Sequence, residues 1–186
     1  MLYLISGASR SGKTTIAKRL SIQKGVPYIS LDWLVMGFTK GIPEYGIHDL
    51  LMPDDIAERF WSFFKAMCES MIWVGDDCII EGEAILPELI IELMNKHPEE
   101  MKICFLGYTD ISIIEKVNEI KKFVTGTTDW LSDKSDTHIE NHVKNMIEYS
   151  KKIKKSCQKN GLTYFDTSKD FMTVTYNVVD YMMTHS

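Results

Sequence analysis

Residues 2–20 read LYLISGASRSGKTTIAKRL. Four apolar residues, Leu2-Tyr3-Leu4-Ile5, run into Ser6. Gly7-Ala8-Ser9-Arg10-Ser11-Gly12-Lys13-Thr14 then fits the pattern G-x-x-x-x-G-K-[ST] at every fixed position. The physical need behind that pattern is phosphate. Gly7 and Gly12 allow backbone angles that other residues resist, so successive N–H groups can turn inward and form an anion nest. A helix opening near Lys13 adds its positive dipole end. Lys13 brings a point charge for β- and γ-phosphates, and Thr14 a hydroxyl for Mg2+. Context supports the match. The run before it reads as a buried central strand. The run after it has Ile16, Ala17 and Leu20 on one helical face and stops at Gly25.

The same alternation continues along the chain. Residues 27–31 read as a second strand ending at Asp32, and residues 33–52 as an irregular excursion. Residues 54–74 place Ile56, Phe60, Phe63, Met67 and Met71 at helical spacing. Cys78-Ile79-Ile80 predicts a third strand ending at Glu81-Gly82. Residues 87–95 predict a helix led by Pro87, residues 101–106 a fourth strand, and residues 110–123 a helix. Residues 125–136 are polar and loop-like. Residues 137–159 predict a helix, residues 162–165 a fifth strand and residues 170–183 a closing helix. Strands alternating with helices imply parallel β-α-β units. The expectation is an α/β fold: a doubly wound five-stranded parallel sheet flanked by helices, in one domain.

Composition narrows the class. The chain has 186 residues, a net charge of −5, 45% apolar and 25% charged residues, as an ordinary globular protein does. The acidic balance argues against a nucleic-acid partner. No apolar stretch approaches the ~20 residues of a membrane span. The four cysteines, Cys68, Cys78, Cys104 and Cys157, form no C-x-x-C pair and read as reduced, packed thiols, which suits the cytoplasm.

In a doubly wound sheet, ligands bind beyond the carboxyl ends of the strands. Acids recur there: Asp32 after strand two, Glu81 and Glu83 after strand three, Asp166 with Thr167 and Ser168 after strand five. Asp32 could take the proton of an attacking hydroxyl or cap a helix. Glu81 could hold a Mg2+-bound water, and Glu83 is a second candidate. The expected catalytic residues are Lys13, Asp32 and Glu81. Gly7, Ser9, Arg10, Ser11, Gly12, Lys13, Thr14 and Thr15 are expected to hold the nucleotide, and Thr14 with Glu81 the metal. His138 and His142 stand four apart on one helix, which is metal-ligand spacing, but they lack a third ligand and read as a solvated face. The lysines from Lys151 to Lys159 read as a solvated helix end.

The order of these parts resembles the P-loop small-molecule kinases of the nucleoside/nucleotide kinase superfamily, which includes adenylate, shikimate and gluconate kinases. "GASRSGKTT" resembles their phosphate loop and "ISLDWL" their strand-two end. "CIIEGEAILPEL" is similar to their acid-glycine strand, and "YTDISIIEKVNEI" to the segment before their lid. "NHVKNMIEYSKKIKKSCQKNGLTYFDTS" is similar to the post-lid helix and last strand. The resemblance implies ATP and Mg2+ as cofactors and a small-molecule acceptor. It implies Thr167 and Ser168 beside the adenine, and segments 33–52 and 124–136 closing over the site as a substrate flap and short lid. A homodimer is an open expectation. ATP is favoured over GTP by the resemblance, since no N-K-x-D motif occurs.

The chain departs from that family in having three arginines, Arg10, Arg19 and Arg59, with none in the lid. Lysines such as Lys116, Lys121, Lys122 and Lys134 supply charge but not a bidentate grip. Asn145 stands where a catalytic arginine is common. A neutral or cationic acceptor, held among Trp33, Phe38, Tyr45 and the acids, is therefore expected rather than a nucleoside monophosphate. The leading expectation is a phosphotransferase acting on a small hydroxylated metabolite. The alternatives are a nucleotide-binding regulatory or sensor protein, and a protein- or antibiotic-modifying kinase.

Overall fold

In this computed structural model, residues 1–123 and 134–184 are described. The apolar runs form one sheet, buried on both faces. Strands β1 (Leu2–Gly7), β2 (Tyr28–Ser30), β3 (Cys78–Gly82), β4 (Met101–Gly107) and β5 (Tyr164–Asp166) pair in the order β2-β3-β1-β4-β5. Every pairing is parallel. The chain lays β2 and β3 on one side of β1 and then β4 and β5 on the other. The order therefore reverses at β1, where a ligand crevice opens in such sheets.

The two-residue period of a strand sorts the core into two layers. Tyr3 and Ile5 of β1, with Ile79, Cys104 and Leu106, face helices α1 (Lys13–Lys24) and α7 (Phe171–Met183), meeting Ile16, Leu20, Val178 and Met182. Leu2 and Leu4, with Ile80, Ile103 and Phe105, face the opposite layer. That layer holds α2 (Leu31–Gly41), α3 (Pro53–Val74), α4 (Pro87–Lys96), α5 (Ile113–Phe123) and α6 (Asp136–Asn160). Each fully buried aliphatic side chain of β1 contributes about 1.5–3 kcal/mol of transfer free energy, which makes this strand the anchor of both layers.

Several boundaries shift by a residue or two, β5 among them, and two differences have a clear physical cause. The supposed excursion at residues 33–52 begins as helix α2, directly after β2, and continues into a 3-10 turn at Pro43–Tyr45. Tertiary packing decides this. Leu31 and Val35, one helical turn apart, are buried, and Phe38 stands edge-on to Phe60 and Phe63. Helix α5 starts at Ile113 rather than residue 110, because Ser112 and Glu115 form a capping box. The Glu115 amide donates to Ser112 Oγ and the Ser112 amide to Glu115 Oε2, both at 3.1 Å.

All four cysteines are buried, and burial pushes the thiols of Cys68 and Cys157 up to about 12. Among the described residues no helix is long and apolar enough to cross a membrane. Residues 124–133, most of the expected lid, lie outside the described residues.

Candidate functional site

The loop between β1 and α1 is held open by backbone geometry. Gly7 has φ 125°, and a Cβ there would lie 1.8 Å from the Leu106 carbonyl oxygen. The chain can hug β4 at that point only as glycine, and the Ala8 amide donates to the same carbonyl at 2.9 Å. Gly12 (φ 100°) precedes α1 with no side-chain cap, so the first helical amides keep their donors for a ligand. Arg10, with φ 61°, is the one non-glycine among the described residues with positive φ. Its charge bears on Tyr108, Lys116 and His142. Tyr108 ties the loop down: its hydroxyl donates to the Ser9 carbonyl at 2.9 Å. The ammonium of fully buried Lys116 sits 4.3 Å from the Tyr108 ring centroid and pairs with Glu119 at 2.7 Å. Burial pulls the Lys116 pKa down, and Glu119 offsets part of that.

Beneath the loop the charges are paired. The Lys13 ammonium donates to the Ala8 carbonyl at 2.8 Å and lies 3.7 Å from Glu83 Oε1. The Thr14 hydroxyl donates to Glu81 Oε1 at 3.2 Å. Register explains the second pair: Ile5 lies opposite Glu81 in the β1–β3 ladder, so β3 delivers a carboxylate to the start of α1. Glu81 is 2% exposed. Burial pushes the Glu83 carboxyl above its ordinary value, opposed by the charge of Lys13. The Ser6 hydroxyl donates to the Ile85 carbonyl and the Tyr149 hydroxyl to the Glu83 carbonyl, fixing the turn that follows β3.

Asp32 is brought in by contact between α2 and β3. A Cβ on Gly82 would stand 2.6 Å from Leu31 Cβ, so the first turn of α2 rests against the end of β3. Asp32 lies in that first turn and close enough to Glu83 to raise its pKa. Asp32, Glu83 and Ser9 share the wall of a cavity of about 700 Å³. Helix α6 contributes His138, His142 and Asn145, spaced as one helical face, and Asp49 and Lys134 also border the cavity. Burial, with help from the Arg10 charge, lowers His142 to about 4, so its imidazole is neutral at pH 7.

At the end of β5, Asp166 gathers donors. Burial raises its pKa, but hydrogen bonds from Ser168, Thr109 and Lys154 outweigh that and bring the carboxyl down to about 2. The hydroxyl of Thr167 donates to the Gly107 carbonyl at 3.2 Å, and Ser168 Oγ accepts from the Asp110 amide at 2.9 Å. These two residues join β4 to β5 and do not border the cavity.

No family model and no curated protein matches the chain. Solved structures do. A shikimate kinase from Bacteroides thetaiotaomicron has a TM-score of 0.58 and 17% identity, covering 99% of both chains. A gluconokinase from Sinorhizobium meliloti 1021 has a TM-score of 0.59 and 14% identity, covering 97% of this chain and 90% of that one. A sugar kinase from Janibacter sp. HTCC2649 has a TM-score of 0.56 and 16% identity, covering 97% and 93%. The fold is that of the P-loop small-molecule kinases.

Within this P-loop kinase fold, Lys13, Thr14 and Glu81 stand together, and Asp32 faces the adjoining cavity. Thr15 lies in the first turn of α1 with its side chain exposed. Glu83, ranked second in the sequence, is the acid beside Lys13. Three expectations change. His142 is half-buried and borders the cavity, while His138 borders it and stays exposed as expected. Phe38 packs against Tyr45, Phe60 and Phe63, and Trp33 against Tyr28, so these aromatics brace α2 and do not line this cavity. Lys154 is an Asp166 partner, not part of a free charged helix end. Tyr108 and Lys116 carried no sequence signal for their role in holding the loop. The spacing of His138, His142 and Asn145 did carry one, since it marks a single helical stripe.

Proposed function

We propose that the protein transfers the γ-phosphoryl group of ATP, with Mg2+, to a hydroxyl of a small metabolite. One observation carries this reading: the anion-binding loop and an adjoining cavity share Ser9 and Glu83 as a common wall, with Asp32 on the cavity side. A nucleotide with its metal suits the residues present. Ser11 Oγ is buried with no hydrogen-bond partner among the described residues, and the α1 amino terminus is uncapped. Thr14 and Glu81 already pair oxygen to oxygen, as a hard cation's ligands would. Those two would hold Mg2+, which supplies neutralisation of charge on the phosphates.

The chain's own groups divide the rest of the work. Lys13 stabilises charge on the transferring phosphoryl group and on the ADP that leaves. Glu83 holds the Lys13 ammonium in position. Asp32 orients the acceptor hydroxyl and takes its proton as the new O–P bond forms. Arg10 adds positive charge felt by Lys116 of α5 and His142 of α6.

The second reading, a nucleotide-binding sensor with little transfer, is favoured by one observation: among the described residues no arginine lines the cavity. Incubation with Mg-ATP and pooled metabolites, followed by ADP release, separates the two. Acceptor-stimulated turnover that disappears in Lys13→Ala supports transfer. Calorimetric nucleotide binding with no turnover in any pool supports the sensor.

A further inference from the structure

Lys116 is a buried charge that the transfer chemistry leaves unused. Its side chain is fully buried, and an ammonium leaves water only at a cost that partners must offset. Glu119 at 2.7 Å is one partner. Two aromatic rings are the others: the ammonium stands 4.3 Å from the centroid of Tyr108 and 5.7 Å from that of Phe171. An apolar pair at positions 116 and 119 would fill the same space without that cost, so packing alone does not account for the charge.

Both rings meet the phosphate loop. The Tyr108 hydroxyl donates to the Ser9 carbonyl at 2.9 Å. The Phe171 ring lies against Gly12, where a Cβ would come within 3.0 Å of two of its carbons. Tyr108 is itself held in place: it is fully buried, and its amide donates to Ser150 Oγ at 3.1 Å. One ammonium, near the start of α5, therefore braces two rings that touch the loop on either side of Arg10 and Ser11.

The bracing bears on the direction of one peptide unit. No cis peptide bond occurs among the described residues, and in a trans peptide the carbonyl and the amide that follows it point to opposite sides. With the Ser9 carbonyl fixed on Tyr108, the Arg10 amide is turned away from that ring. Arg10 has φ 61°, a left-handed conformation that is costly for a residue with a Cβ. Arg10 and Gly12 have positive φ while Ser9 and Ser11 do not, so the sign alternates over four residues, as it does where successive amides form an anion nest.

We infer that Tyr108 and Lys116 are positioning residues for phosphate: Lys116, through the Tyr108 ring, holds the Ser9–Arg10 peptide in the orientation that aims its amide at the anion. This rests on the nucleotide-binding part of the reading above and is independent of the acceptor. Both side chains are fully buried, so they act through the loop rather than by contact.

Calorimetry on the full chain tests this with two probes, Mg-ATP and magnesium tripolyphosphate, the second having phosphates and no nucleoside. Tyr108→Phe deletes one oxygen and is expected to weaken both probes by the same factor, about tenfold. Lys116→Met, which keeps the length of the side chain and removes its charge, is expected to weaken both by about threefold to tenfold. In the double variant the loss should fall clearly short of the product of the two, because one residue acts through the other. Circular dichroism checks the fold, and Tyr108→Phe decides the matter by itself if Lys116→Met does not fold. Unchanged affinity in Tyr108→Phe overturns the inference. So does a loss confined to ATP, or a parent that binds ATP without tripolyphosphate, since either places the effect on the nucleoside. Losses that multiply in the double variant overturn the route through Tyr108. A parent that does not bind Mg-ATP overturns the nucleotide reading itself, and the inference with it.

Discussion

The two halves of the site are built differently. On the phosphate side, position is set by backbone: Gly7 pressed against Leu106, Gly12 opening α1, and strand register carrying Glu81 to Thr14. Little there can change without collision. On the cavity side, position is set by side chains projecting from α2, α6 and the stretch from Asp49 to Pro53. The difference teaches which half is general and which is particular. Under the proposed transfer, the phosphate tail is the same in every reaction of this kind and a rigid cage fits it, while the acceptor varies and exchangeable side chains would read it.

Substitutions test that division. The largest effect is expected from Gly7→Ala. Its Cβ would overlap the Leu106 carbonyl at a φ of 125°, so the loop must rebuild. Nucleotide affinity measured by calorimetry should vanish, and the thermal unfolding midpoint should drop. Lys13→Ala should leave the fold intact by circular dichroism yet lower ADP release by about 10²–10³-fold with any acceptor. Asp32→Asn should cost about 10²-fold in kcat while calorimetric ATP affinity stays close to that of the parent. If ATP affinity also fell, the halves would not be separable. Glu81→Gln should raise the Mg2+ concentration for half-maximal turnover by about tenfold or more, without changing acceptor KM.

The smallest effect concerns stability and pH. His142 has a folded pKa near 4 against an ordinary 6.5, because burial disfavours its charged form. Below pH 6.5 the unfolded chain binds a proton that the folded protein does not accept until about pH 4. Unfolding free energy should therefore fall as pH drops through that window. Denaturant titrations at pH 7 and pH 4.5 should show a smaller difference for His142→Phe than for the parent. An identical difference in both would place the titration elsewhere.

Much of this was legible in the chain because parallel strands buried on two faces are written as continuous apolar runs. Leu2-Tyr3-Leu4-Ile5 and Cys78-Ile79-Ile80 could be read directly, as could the loop whose fixed residues leave few alternatives. Helix α2 was not legible. Gly37 and Gly41 weaken its local propensity, and the contacts of Phe38 with Phe60 and Phe63 that stabilise it join residues more than twenty positions apart. His138 and His142 were visible as a pair. Which way their face points depends on how α6 docks on the sheet, and periodicity alone does not carry that. Tyr108 and Ser9 lie 99 positions apart, so their bond has no local trace at all.

Gly82 has a wider bearing. Because Leu31 rests on it with no room for a methyl group, the spacing between Asp32 and the carboxylates at the end of β3, Glu81 and Glu83, is mechanically clamped, independent of Met36, Asp49 or Leu50. On the transferase reading, those neighbours could mutate while the chemical step kept its alignment, and a lineage carrying this glycine would be free to explore new acceptors one rim residue at a time, without relearning how to move a phosphate.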